Sequence, residues 1–123
     1  MRISEAESVV MDVLWRAQAP LGADDIVAAV AAAQDWQEAT VKTLLNRLLK
    51  KKAIAATRDG RRYLYRAITR RGDYVHAEST SLLDRLFGGR VAPLVAHFSE
   101  RHKLSKKDIA DLRKLIEELD HER

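Results

Sequence analysis

The chain contains no cysteine, so disulfide frameworks, thiolate metal centres and cysteine redox chemistry are excluded by inventory alone. It has no run of about 18 apolar residues able to span a bilayer, and its charged, Glu-containing N-terminus lacks the apolar centre of a secretory signal. A cytoplasmic protein without membrane insertion is expected. Also missing are H-E-x-x-H, a P-loop, Gly-x-Gly-x-x-Gly and the Gly-x-Ser-x-Gly elbow. His76, His97, His102 and His121 fall in no tight metal-ligand spacing. The carboxylates are scattered along helix faces without an obvious acid/base pair. These absences predict no enzyme, no metal site and no cofactor, and nothing in the sequence points to a small-molecule pocket. There is no internal repeat, low-complexity tract or long flexible linker.

What is present is a short, charge-segregated, helix-rich sequence. At 123 residues, with 46% hydrophobic and 33% charged residues, the chain suits one compact domain plus an appendage too small to bury a core alone. The net charge of +4 conceals a strong asymmetry. From Met1 to Val41, two basic residues face seven acidic ones, a net of −5. From Lys42 to Arg71, eleven basic residues face Asp59 alone, a net of +10. The remainder, nine basic against ten acidic, is close to neutral at −1. A positive field confined to one segment suits a polyanionic partner.

Ser4-Glu5-Ala6-Glu7 has the form of a capping box opening a helix with Val9, Val10, Val13 and Leu14 on one side, ending before Pro20. Ala19-Pro20-Leu21-Gly22 reads as a turn. A second, short helix follows to about Ala33, carrying Ile26, Val27 and Val30. The third runs from Glu38 or Ala39 to about Lys51. At about 100° per residue, Val41, Leu44, Leu45, Leu48 and Leu49 share one face, while Ala39, Lys42, Thr43, Asn46, Arg47 and Lys50 share the other. Standing alone, this would read as an ordinary amphipathic surface helix. It is followed, however, by Ile54 to Thr57 and Tyr63 to Ile68, two short strands separated by Arg58-Asp59-Gly60-Arg61-Arg62, with Gly60 supplying the turn. Tyr63 and Tyr65 share a strand face and are expected to pack the wing. Three helices and a basic-tipped hairpin describe a winged helix-turn-helix, whose third helix enters the major groove.

Beyond it, Thr69 is expected to cap a helix reaching Phe87, with Gly88-Gly89 as its stop. A short helix with Pro93 in its first turn follows, and Ser105-Lys106-Lys107-Asp108 opens a last one through a second capping box. Their apolar positions are Val75, Leu82, Leu83, Leu86, Phe87, Val91, Leu94, Val95, Phe98, Ile109, Leu112, Leu115, Ile116 and Leu119. About fifty residues of this kind bury their stripes better against a second copy than alone, which predicts a homodimer. Folding back onto the winged domain of the same chain is the alternative.

The fold class expected is therefore mainly α with a small β-hairpin: a winged helix-turn-helix over residues 1–70 and a helical dimerisation region over 71–123. Thr40, Lys42, Thr43, Asn46, Arg47 and Lys50 would face the groove of double-stranded DNA, and Arg58, Arg61 and Arg62 the backbone. A protein-binding winged helix within a larger assembly is the competing function.

Several ordered motifs carry a family resemblance. They are Ile3-Ser4-Glu5-Ala6-Glu7, Val10-Met11-Asp12-Val13-Leu14-Trp15, Thr40-Val41-Lys42-Thr43-Leu44-Leu45-Asn46-Arg47-Leu48, Gly60-Arg61-Arg62-Tyr63-Leu64-Tyr65, Leu86-Phe87-Gly88-Gly89 and the Leu104-Ser105 helix start. With these the chain resembles the BlaI/MecI/CopY family of bacterial transcriptional repressors along nearly its whole length. The resemblance implies an N-terminal winged helix, a C-terminal dimerisation region and repression from a two-fold symmetric operator. In the penicillinase branch it also implies an antibiotic response in which a membrane-bound metalloprotease sensor leads to cleavage of an Asn-Phe bond. Here His97-Phe98 aligns with that pair, so the residue before the bond differs. The cysteines of the copper-responsive branch have no counterpart. Ala53 stands where the family commonly has Gly, and a left-handed backbone at Ala53 would cost on the order of 1 kcal/mol, which predicts a locally different turn.

Overall fold

The computed structural model describes residues 2–122. Its elements, in order, are α1 (Glu5–Arg16), β1 (Leu21–Gly22), α2 (Ala23–Ala31), α3 (Glu38–Lys50), β2 (Ile54–Asp59), β3 (Arg62–Ala67), α4 (Arg71–Leu86), α5 (Val91–Glu100) and α6 (Lys106–His121). The chain forms two compact units, one ending at His76 and the other beginning at Ala77.

In the N-terminal unit, α1 starts where a capping box dictates. The Ser4 hydroxyl accepts from the Glu7 amide at 3.1 Å, and the Glu7 carboxylate accepts from the Ser4 amide at 2.7 Å, satisfying two donors that helix geometry leaves open. Val10, Met11 and Leu14 of α1, Ile26 and Val30 of α2, and Val41, Leu44, Leu45 and Leu48 of α3 are buried together with Ile3, Ala53 and Ile54. The α1 face is rotated slightly from the expected one, since Met11 is fully buried while Val9 and Val13 are only half-buried. On α3 the expected leucine face is the buried one, with Leu49 at its margin.

The sheet is antiparallel in the order β1-β3-β2. The hairpin is longer and its turn tighter than expected. Asp59 pairs with Arg62, leaving Gly60 and Arg61 as a two-residue connection with Gly60 at φ +64°, the left-handed geometry such turns need at low steric cost. Arg58, Asp59 and Arg62 thus belong to strands, whereas Ile68 lies outside β3 and donates its amide to the Ala53 carbonyl at 2.8 Å. The segment expected as a turn before α2 instead supplies β1, with Leu21 opposite Tyr65 and Gly22 opposite Leu64. α2 ends at Ala31, two residues before the expected limit.

The connection from α3 to β2 places its left-handed backbone one residue before Ala53. The left-handed residue is Lys52, at φ +60°, and Ala53 is not left-handed. Lys52 donates to the Leu49 carbonyl and Ala53 to that of Leu48, each at 3.0 Å, the paired closure of a Schellman C-terminus. Ala53 is buried. Thr69 does not cap α4: the helix begins at Arg71, and the Arg70 carbonyl receives the Tyr74 amide at 3.1 Å. The Thr69 carbonyl instead accepts the Trp15 indole N–H at 2.9 Å, and the Trp15 and Tyr74 rings lie 5.4 Å apart. The start of α4 is thereby fastened to the end of α1.

In the C-terminal unit, α5 and α6 are joined through His102 at φ +58°, where Lys103 donates to the Phe98 carbonyl at 2.9 Å, a second Schellman closure. Ser105 then caps α6 in the expected box with Asp108. Neither helix buries a residue fully. Leu86, Val91, Phe98, Ile109, Leu115, Ile116 and Leu119 are exposed. Leu82 and, before the unit begins, Val75 are also exposed, while Leu83, Phe87, Leu94, Val95 and Leu112 are half-buried. The His97 ring stands between Phe87 and Phe98, with centroids 6.0 and 5.3 Å away.

Candidate nucleic-acid interface

With Val41, Leu44, Leu45 and Leu48 fixed in the core, helical geometry turns Thr40, Lys42, Thr43, Asn46, Arg47 and Lys50 outward, and all six are exposed. Two are engaged within α3 itself. Lys42 pairs with Glu38 one turn earlier at 3.1 Å, and the Thr43 hydroxyl donates to the Ala39 carbonyl at 3.0 Å. Asn46, Arg47 and Lys50 have no hydrogen-bond or ion-pair partner among the described residues. Their donors remain available to an external ligand.

The three wing arginines separate by position. Arg58 donates from Nε to the Gly60 carbonyl at 3.0 Å and its guanidinium lies 6.0 Å from the centre of the Tyr63 ring. It is shaped by its own hairpin. Arg61 sits exposed in the two-residue turn with no such partner among the described residues. Arg62 points to the start of α2, with Nη1 3.7 Å from Asp24 and 3.9 Å from Asp25. A Cβ on Gly22 would fall 2.7 Å from Asp24 Oδ1 and 3.0 Å from Arg62 Nη1. Glycine at that position leaves room for the hairpin to close against α2. The Gly22 amide donates to Asp25 at 3.1 Å. Tyr65 packs on the core, as expected for the wing, while Tyr63 is exposed beside Arg58.

Behind the exposed face lies an ion pair that sequence reasoning missed. Glu7 is only 1% exposed and accepts a short hydrogen bond from the Lys51 ammonium, which also donates to the Arg2 carbonyl at 2.8 Å. Burial pushes the Glu7 carboxyl up. The hydrogen bonds from Lys51 and from the Ser4 amide and hydroxyl, with the Lys51 charge, outweigh it and hold the group below its ordinary value of 4.5. The capping box was legible in the sequence, but nothing local marked a partner 44 residues away. Of the three consecutive lysines after Leu49, Lys51 is a structural residue.

No cluster of three or more metal-ligating side chains occurs among the described residues, and none of their helices is long and apolar enough to cross a membrane.

Three helices, an arginine-tipped hairpin and a small third strand, with a polar face exposed on α3, make the N-terminal unit a winged helix-turn-helix domain of the DNA-binding class. The chain belongs to the penicillinase repressor family, whose model matches residues 3–118. It is 31% identical over 117 residues to the penicillinase repressor of Bacillus licheniformis, spanning 95% of this chain and 91% of that one. It is 29% identical to the methicillin resistance regulatory protein MecI of Staphylococcus aureus, across 93% of this chain and 92% of the relative. Among solved structures, the B. licheniformis BlaI monomeric form in complex with the blaP half-operator matches at 30% identity and a TM-score of 0.53, over 60% of this chain and 89% of that one.

Proposed function

We propose that this protein is a transcriptional repressor that binds a two-fold symmetric DNA operator as a homodimer, each subunit placing α3 in the major groove of one half-site. The observation that carries this reading is the α3 geometry: a buried leucine face fixes the helix while Asn46, Arg47 and Lys50 stand exposed on its other face, and Arg61 is exposed in the hairpin turn. An amide reads adenine and a guanidinium reads guanine bidentately, so Asn46 and Arg47 are assigned to base edges. Thr40, Lys42, Thr43 and Lys50 position the helix, and Arg58 and Arg61 contact flanking phosphates. Arg62, half exposed next to the hairpin turn, contributes by setting the wing angle as well as by charge. The relative solved as a monomeric form in complex with a half-operator supports placing one winged domain on one half-site.

Homodimerisation is assigned to the exposed apolar positions of α4, α5 and α6. Such residues left to water mark an interaction face, and a second copy offers a matching one. The protein acts by binding rather than catalysis, in the cytoplasm where its DNA lies. Release by a membrane-bound metalloprotease sensor would act at His97-Phe98. That bond lies within the helical span of α5, so cutting it requires α5 to open locally before a protease can hold the chain extended.

The test is a gel-shift titration of the full chain against fragments from its own genomic neighbourhood, run at several salt concentrations. A discrete complex on one palindromic fragment, persisting at salt that abolishes binding to random DNA, is the expected result. Absence of any complex at low salt would overturn the reading in favour of a protein-binding winged helix.

A further inference from the structure

The N-terminal unit carries a cleft of about 490 Å³ formed by the end of α1, the Pro20 segment, β3 and the first turn of α4. That volume lies in the range of small-molecule sites. Trp15 and Tyr65 supply aromatic surface, and Arg66, Arg70 and Arg71 supply three positive charges. The lining contains no Asp or Glu, and none of the three guanidinium groups has an ion-pair or hydrogen-bond partner among the described residues. Three cations around one acid-free cleft repel each other unless an anion joins them, and a partly apolar wall strengthens that attraction by lowering the local dielectric.

From this combination we infer that the cleft binds a small aromatic carboxylate, its ring against Trp15 and Tyr65 and its carboxylate held by Arg66, Arg70 and Arg71. Planar guanidinium groups fit a carboxylate bidentately, and the aromatic walls add area that a bare inorganic anion would not use. The inference stands independently of the DNA-binding reading, because none of the lining residues belongs to α3 or to the hairpin turn. It gives the ligand a contact with α4, whose start is fastened by the Trp15–Thr69 hydrogen bond.

The full chain, labelled with nitrogen-15, is titrated with 2-naphthoate and, separately, with the neutral 2-naphthamide, following the two indole N–H signals. The Trp36→Phe variant assigns which signal is Trp15. Naphthoate is expected to shift the Trp15 signal saturably and leave that of Trp36 in place. Loss of the charged contacts in Arg66→Gln/Arg70→Gln should weaken binding about tenfold or more, as should replacing naphthoate by the amide. The spectrum of the double variant reports that it is folded. Equal binding of the amide, an unmoved Trp15 signal, or equal movement of both tryptophans overturns the inference. A fourth outcome also overturns it: random duplex DNA shifting Trp15 and losing affinity in the arginine variant would assign these cations to phosphate.

Discussion

Lys51 closes the end of α3 and donates to Glu7 in the first turn of α1, so α3 is tied at its C-terminus to the first helix of the domain. The carboxylate is buried and one of its oxygens, Oε2, has no partner among the described residues, which makes the remaining bond costly to lose. Lys51→Met should therefore destabilise the chain by about 3 kcal/mol, because an uncompensated charge is left inside. Combining it with Glu7→Leu should recover most of that loss. Urea unfolding of the three variants measures the difference, and an unaltered midpoint for Lys51→Met would show the pair to be dispensable.

The same pair sets a pH dependence. The folded-state pKa of Glu7 lies below the unfolded value. Its stabilisation is therefore complete above the ordinary carboxylate range and disappears as pH falls through the lowered folded value. Unfolding midpoints should drop with acidification below about 4.5, and Glu7→Gln should flatten that part of the profile. Equal acid sensitivity in both proteins would assign the dependence to other carboxylates.

Lys52 and Ala53 offer a local test of the α3–β2 turn. Only Lys52 occupies the left-handed region, where a Cβ costs on the order of 1 kcal/mol. Lys52→Gly should raise stability by up to about 1 kcal/mol, less the entropy glycine gains when unfolded. Ala53→Gly should lower it, since Ala53 is buried and gains no backbone relief. Thermal melts compare the two, and the reverse ranking would place the turn elsewhere.

For the α3 and wing cations, specific and random DNA should respond differently. Arg47→Ala should weaken operator binding by about 1–3 kcal/mol and leave random DNA little changed. Arg61→Ala should weaken both in similar measure. Equal losses on both DNAs for Arg47→Ala would remove it from base readout.

In the C-terminal unit, Leu115 and Leu119 are 53% and 60% exposed in the single chain. Leu115→Asp with Leu119→Asp should convert a dimer to monomers in sedimentation while leaving the winged domain folded. Operator affinity should then fall by about 100-fold or more, since the second half-site no longer adds effective concentration. A variant that remains dimeric would move the interface off this α6 stripe.

How much of this was legible depended on the distance over which each signal acts. The two faces of α3 were visible because Val41, Leu44, Leu45 and Leu48 repeat at helical spacing, and both capping boxes because their partners are three residues apart. The hairpin reads shorter in sequence than it is because Arg58, Asp59 and Arg62 resemble loop residues. On an exposed antiparallel pair, polar side chains face water without breaking the ladder. β1 is two residues long and exists through its pairing with β3, so it has no periodicity of its own. Glu7–Lys51, Arg62–Asp24 and Trp15–Thr69 join distant segments, and charge or aromaticity alone did not choose their partners.

The ion pairs also alter what the basic segment from Lys42 to Arg71 can do. Lys42, Lys51 and Arg62 are already matched by carboxylates, and Arg66, Arg70 and Arg71 line the Trp15 cleft. Arg47, Lys50, Lys52, Arg58 and Arg61 remain, five of the eleven cations in that segment, and Arg47 is assigned to a base edge. With the other four on phosphates, two subunits would displace about seven condensed monovalent ions from duplex DNA, at roughly 0.9 per neutralised phosphate, rather than the twenty or so that the raw charge suggests.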